Sequence, residues 1–141
     1  MSSLGKAIRI AAQAHEGQRD KAGAPYILHP LRVMMKMATE AERITAVLHD
    51  VVEDTDWTME RLQQEGFHGE ILAALECLTR QEGEEYEKFI ERVKRNPLAV
   101  KIKIADLEDN LDVARLKEVT EADTKRLEKY RQALQMLNDL Y

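Results

Sequence analysis

The chain is 141 residues long, 44% hydrophobic and 33% charged, with a formal net charge of −5. That length suits one domain with a sizeable core, and the acid excess argues against a nucleic-acid surface, which needs a basic footprint. No apolar run approaches the roughly 18 residues that span a bilayer, no secretory leader is legible at the start, and a single cysteine fits a reducing, cytoplasmic setting.

Helical periodicity runs through nearly the whole chain, and no strand-like alternation persists. Leu4, Ala7, Ile8, Ala11 and Ala14 predict a first helix, capped by Ser2 or Ser3. Gly17, Gly23 and Pro25 make residues 16–28 a loop. Pro30 reads as a first helical residue, which sets His29 at a helix N-terminus. Leu31, Met34, Met35 and Ala38 are expected to face inward, the methionines as core filler. A helix is predicted over residues 41–54, and a short one over 59–65 closed by Gly66. Ile71, Leu72, Leu75 and Leu78 stripe the next, with Cys77 expected as a buried small hydrophobe. Gln81–Glu85 is a polar turn, and Phe89, Ile90 and Val93 mark another helix. Asn96-Pro97 reads as cap and first residue of a long helix bearing Val100, Ile104, Leu107 and Leu111. Thr120 or Asp123 caps the last helix, whose seam is Leu127, Tyr130, Leu134 and Leu137. The expectation is one all-α domain over 1–141, a bundle of about seven or eight helices.

The segment Ala46-Val-Leu-His-Asp-Val-Val-Glu-Asp54 concentrates the chemistry. At about 100° per residue, Ile44, Val47, Leu48, Val51 and Val52 fall on one arc, and His49, Asp50, Glu53 and Asp54 on the opposite one. Three acids within two turns repel one another, and a metal ion would relieve them. A metal with a bound water is a hydrolytic site. An octahedral ion needs further ligands. His29, at the loop–helix junction, and Asp106, which shares a face with Lys103 and Asn110 on the long helix, are the candidates.

Four segments carry a resemblance. Ala14-His-Glu-Gly-Gln18, Asp20-Lys-Ala-Gly-Ala-Pro-Tyr-Ile-Leu-His-Pro30, Leu48-His-Asp-Val-Val-Glu-Asp-Thr55 and Lys103-Ile-Ala-Asp106 with Asn110 closely resemble the hydrolase domain of the RelA/SpoT family, within the HD phosphohydrolase superfamily. The resemblance covers nearly the whole chain and is strongest at 11–55 and 101–112. It implies a single HD domain that removes the 3′-pyrophosphate of ppGpp and pppGpp, giving GDP or GTP plus pyrophosphate. It also implies a stand-alone alarmone hydrolase without synthetase or regulatory domains, acting on a small nucleotide and on neither nucleic acid nor membrane.

By the same similarity, His29, His49, Asp50 and Asp106 hold one Mn²⁺, an ion suited to mixed imidazole and carboxylate ligands. Glu53 and Asp54 are implied to orient and deprotonate the attacking water. Lys21, with Arg19, would meet the pyrophosphate, and Asn110 would lie near the nucleoside. Tyr130 either reaches the nucleotide or packs in the core. His15 reads as a structural hydrogen-bonding residue and His68 as an exposed turn residue. Two positions depart from the family pattern: Asp20 and Leu107 stand where arginines are usual. A guanine alarmone is the first choice of substrate. An adenine alarmone, an NADPH-type phosphatase activity on the same site, or a catalytically silent alarmone-binding module are the alternatives.

Overall fold

A computed structural model of the chain describes residues 3–139. Its helices are α1 (Leu4–Ala14), α2 (Leu28–Met35), α3 (Glu40–Leu48), α4 (Val51–Asp54), α5 (Met59–Gln64), α6 (Gly69–Leu78), α7 (Tyr86–Lys94), α8 (Pro97–Leu111) and α9 (Glu121–Asn138). The only extended pairing among the described residues is an isolated bridge between Arg19 and Pro25, inside the α1–α2 loop.

Most helix starts follow from local side-chain chemistry. Ser3 accepts from the Lys6 amide and caps α1; Ser2 lies outside the described residues. Thr39 and Glu42 form a reciprocal capping box on α3, and Thr120 and Asp123 form one on α9. Asn96 caps α8 with Pro97 in the first turn. Gly66, at φ 88°, takes the left-handed conformation that stops α5. His68 is the exposed N-cap residue of α6.

The core forms around α3, which packs against α1, α2, α6 and α8. Ala46, Val47 and Leu48 have no exposed surface, and Ile71, Leu75, Ile102 and Leu107 close over them. Cys77 is half-buried at the edge of this core.

Three expectations are corrected. The helix expected over 41–54 breaks at His49–Asp50, where α3 ends and α4 begins. The break turns His49 inward to 3% exposure, whereas a continuous helix would hold it opposite the apolar arc. The inward residues of α2 and its C-terminal turn are His29, Pro30, Val33, Met34 and Met37, while Met35 is 71% exposed and Ala38 is exposed too. That stripe is phased by His29, a polar residue that belongs to the buried face. Finally, α2 begins at Leu28 rather than Pro30, so His29 lies within its first turn.

Candidate metal centre

Four side chains from three separate stretches meet between α2, α3–α4 and α8. His29 projects from the first turn of α2, His49 and Asp50 from the α3–α4 break, and Asp106 from α8. One ligand atom from each lies within 4.8 Å of all the others. His29 Nε2 is 2.8 Å from Asp106 Oδ1 and 3.7 Å from Asp50 Oδ2. His49 Nε2 is 3.0 Å from Asp50 Oδ2 and 3.3 Å from Asp106 Oδ1. His29, His49 and Asp106 are buried and Asp50 is partly exposed.

Hydrogen bonds assign the tautomers. His49 Nδ1 lies 2.6 Å from the Ala46 carbonyl, which can only accept, so Nδ1 carries the proton. His29 Nδ1 lies 2.6 Å from Asp109 Oδ2 and donates to it. Arg32 holds Asp109 through two bonds of 2.8 and 3.0 Å. With Nδ1 occupied on both rings, each Nε2 faces the carboxylates of Asp50 and Asp106, where it shares a proton with them or, once that proton is displaced, offers its lone pair to a cation. Lone pairs from four groups converging on one point repel unless a cation or shared protons lie between them. This donor set fits a divalent ion. The Nδ1–H bonds to a carbonyl and to a carboxylate are the outer support that metal-bound histidines use.

The electrostatics carry the same demand for positive charge. Burial alone would depress the His49 imidazole, but Asp50 and Asp106 reverse this and hold it well above its ordinary pKa. Burial likewise opposes the charged form of His29, which bonds to Asp106 and Asp109 raise. Burial pushes Asp106 up, but Lys103 and the two histidines outweigh it and hold the carboxyl well below its usual range. Asp50 drops to about 2 because His49 overcomes its desolvation.

A ring of support surrounds the ligands. The Tyr26 hydroxyl donates to Asp50 Oδ2. Lys103 Nζ donates to Asp106 Oδ2 at 2.8 Å, and the Asn110 amide donates to Asp106 Oδ1 at 3.2 Å. Tyr26, Arg32, Lys103 and Asp109 carry no role that the sequence alone reveals. Spacing offered a signal: His29 and Arg32 lie at i, i+3 on α2, Asp106 and Asp109 at i, i+3 on α8, so adjacent helices present two complementary pairs. His15 is a hydrogen-bonding residue as expected, with Nδ1 2.8 Å from Gln18 Oε1.

Cavities open on both sides of the cluster. The larger, about 490 Å³, is bordered by His29, Arg19, Lys21, Arg32, Asn110 and Tyr130. The smaller, about 250 Å³, is bordered by Asp50, Asp106, Glu53, Asp54, Asn110 and Tyr130. Tyr130 thus faces both cavities while packing against the core. Glu53 and Asp54 each place a carboxylate oxygen within 4.8 Å of one from Asp50. Glu53 Oε1 accepts from the Arg80 amide at 2.7 Å. Partial desolvation, then Asp50 and Glu53, push the Asp54 carboxyl up to about 6.

The two departures have structural explanations. Asp20 Oδ1 accepts from the amides of Ala22 and Ala24, both at 2.9 Å, and so shapes the α1–α2 loop. Arg19 donates to the Gly23 carbonyl across that loop. Leu107 is wholly buried, so its position faces the core. Arginines reach the larger cavity from other places: Arg32, Arg115 and Arg126 all border it.

Histidine and aspartate side chains converging inside an all-α bundle, able to hold a metal, are the mark of an HD-type domain. No protein-family model matches the chain. A protein of Mycobacterium leprae named a probable GTP pyrophosphokinase is 35% identical over 128 residues, which cover 82% of this chain and 16% of that protein. Proteins named guanosine-3′,5′-bis(diphosphate) 3′-pyrophosphohydrolase are similar too. The one from Aquifex aeolicus is 33% identical over 75% of this chain and 17% of its own, that from Haemophilus influenzae 38% over 72% and 17%. The chain therefore spans about a sixth of the length of these curated relatives. A solved structure, described as a metazoan ortholog of SpoT that hydrolyses ppGpp, superposes with a TM-score of 0.81 at 24% identity, over 97% of this chain and 86% of the other. The chain carries the HD domain of the RelA/SpoT family.

Proposed function

We propose that this chain is a metal-dependent hydrolase that removes the 3′-pyrophosphate of ppGpp or pppGpp, releasing pyrophosphate and GDP or GTP. The observation that carries the reading is the convergence of two imidazole Nε2 atoms and two carboxylates, largely buried and held by Asp109, Ala46, Tyr26 and Lys103. The relatives bear both kinase and hydrolase names, and those names describe chains about six times longer. The side chains of this segment favour hydrolysis, because they supply a metal site beside carboxylates able to take a proton from water.

In this reading His29, His49, Asp50 and Asp106 hold one Mn²⁺. A divalent ion there polarises phosphoryl oxygens and makes water more acidic. Asp54, whose carboxylate accepts no hydrogen bond among the described residues, takes the water proton. Glu53 keeps one oxygen on the Arg80 amide and uses the other to orient that water. The water oxygen bonds to the phosphorus next to the ribose 3′-oxygen, and the old P–O bond breaks. Its electron pair stays on the 3′-oxygen, which takes up a proton. Lys21, assisted by Arg19, offsets phosphate charge, and Asn110 faces the nucleoside from the wall shared by both cavities. The larger cavity, rich in arginine, takes the nucleoside with its 5′-diphosphate. The activity fits a cytoplasmic enzyme that clears alarmone during the stringent response.

The test is product analysis with ppGpp and Mn²⁺. The reading expects equimolar GDP and pyrophosphate, abolished by chelator and restored by added Mn²⁺. Binding of ppGpp without turnover would replace it with the silent-module reading. Faster release of phosphate from an adenine nucleotide would replace the guanine assignment.

A further inference from the structure

Three cations gather beside the metal centre, on the side away from Lys21. Arg80 comes from the turn after α6, Lys103 from α8 and Lys129 from α9, and all three border the smaller cavity. They assemble on two aromatic rings of α7. Lys129 Nζ lies 4.4 Å from the centre of the Tyr86 ring and the Arg80 guanidinium 5.4 Å from it, while Lys103 Nζ lies 5.1 Å from the Phe89 ring. Lys103 is paired with Asp106, but among the described residues neither Arg80 nor Lys129 forms an ion pair.

The arrangement is braced. Arg92 binds Glu84 through two bonds of 2.7 and 2.8 Å and reaches the carbonyls of Glu76 and Thr79, which fixes the turn bearing Arg80. Glu53 holds the Arg80 amide from the other side. The Tyr86 hydroxyl is buried without a partner among the described residues. Burial, then crowding by Arg80, Lys103 and Arg126, depress the Lys129 ammonium. An anion between them would relieve their mutual repulsion. In the larger cavity, by contrast, Arg32, Arg115 and Arg126 are each ion-paired, to Asp109, Asp112 and Asp123.

We infer that Arg80, Lys103 and Lys129 form a diphosphate subsite that grips the terminal phosphate of the group being removed and then the pyrophosphate product. The inference rests on the hydrolase reading and adds to it a second phosphate-binding wall, opposite Lys21. The four carboxylates bordering this cavity outnumber its cations, and a bound divalent ion tips the local charge to positive. Pyrophosphate binding here is therefore tied to the metal.

The experiment is calorimetric titration of inorganic pyrophosphate into the whole chain at fixed free Mn²⁺, comparing wild type with Arg80→Gln, Lys129→Gln, Lys129→Arg and Lys21→Gln. Thermal melts confirm that each variant is folded. Arg80→Gln and Lys129→Gln should each weaken pyrophosphate binding about tenfold, the loss of one charge-assisted contact. Lys129→Arg should restore most of it, and Lys21→Gln should weaken free pyrophosphate less than either of the first two variants. Unchanged affinity in Arg80→Gln and Lys129→Gln, a loss confined to Lys21→Gln, or no binding by the wild type overturns the inference. Because the readout needs no turnover, failure of the hydrolase reading shows separately, in the ppGpp product assay.

Discussion

At the scale of the residue, the site depends on where protons sit. Asp109 accepts from His29 Nδ1 and so turns Nε2 toward Asp106. Asp109→Ala should weaken Mn²⁺ affinity about 10–100-fold, the range found when the outer partner of a metal-bound histidine is lost. Competition for Mn²⁺ with a fluorescent chelator would measure this. Asp54 belongs to a different step. Asp54→Asn should keep the metal and lower kcat by about 10²–10⁴, the usual worth of a positioned proton acceptor. Loss of metal together with activity would instead place Asp54 among the ligands. That His29, His49, Asp50 and Asp106 come together was legible from residue types and the resemblance. The support from Tyr26, Arg32 and Lys103 was not, because it depends on which helices lie side by side.

At the scale of the element, short-range rules explain helix starts better than helix ends. Ser3, Asn96 and Thr120 cap the helices that spacing assigned to them, because each cap closes within three residues and needs no tertiary partner. The break at His49–Asp50 was not visible, since the hydrophobic pattern runs through it unbroken. What ends α3 there is a demand from other elements: Asp106 on α8 and the Tyr26 hydroxyl draw His49 and Asp50 out of helical register. The same demand mis-phased α2, where the buried face includes His29. The start of α3 is testable. Thr39→Ala removes half of the capping box and should cost about 1 kcal/mol in a urea melt. Glu42 completes that box, and its bond to Lys101, followed by the amides of Thr39 and Ala38, lowers its carboxyl to about 2. A group depressed on folding stabilises above its unfolded pKa and loses that contribution as pH falls through the folded one. Wild type should lose stability between about pH 4.5 and 2 more steeply than Glu42→Gln, in melts run across that range.

At the scale of the whole molecule, a divalent ion held by this quartet would be a cross-link. It would tie α2, the α3–α4 break and α8, three elements far apart in sequence. In the proposed reading, folding and metal binding are therefore linked. At a hundredfold excess of Mn²⁺ over its dissociation constant, the folded state gains about 2.7 kcal/mol. Chelator should lower the Tm by several degrees, and Mn²⁺ should restore it. Among the described residues no helix is long and apolar enough to cross a membrane. The all-α bundle could be read from helical periodicity, and the gathering of His29, His49, Asp50 and Asp106 from residue type and the resemblance. The paired cavities and their different charge states could not, since they arise only when α7, α8 and α9 pack around the quartet. Electron paramagnetic resonance during a manganese titration of the folded chain counts the bound ions. One tightly held Mn²⁺ per chain is expected, lost in His49→Ala and in Asp106→Asn while circular dichroism stays helical. Undiminished binding in both variants, or two equivalent ions per chain, would contradict it.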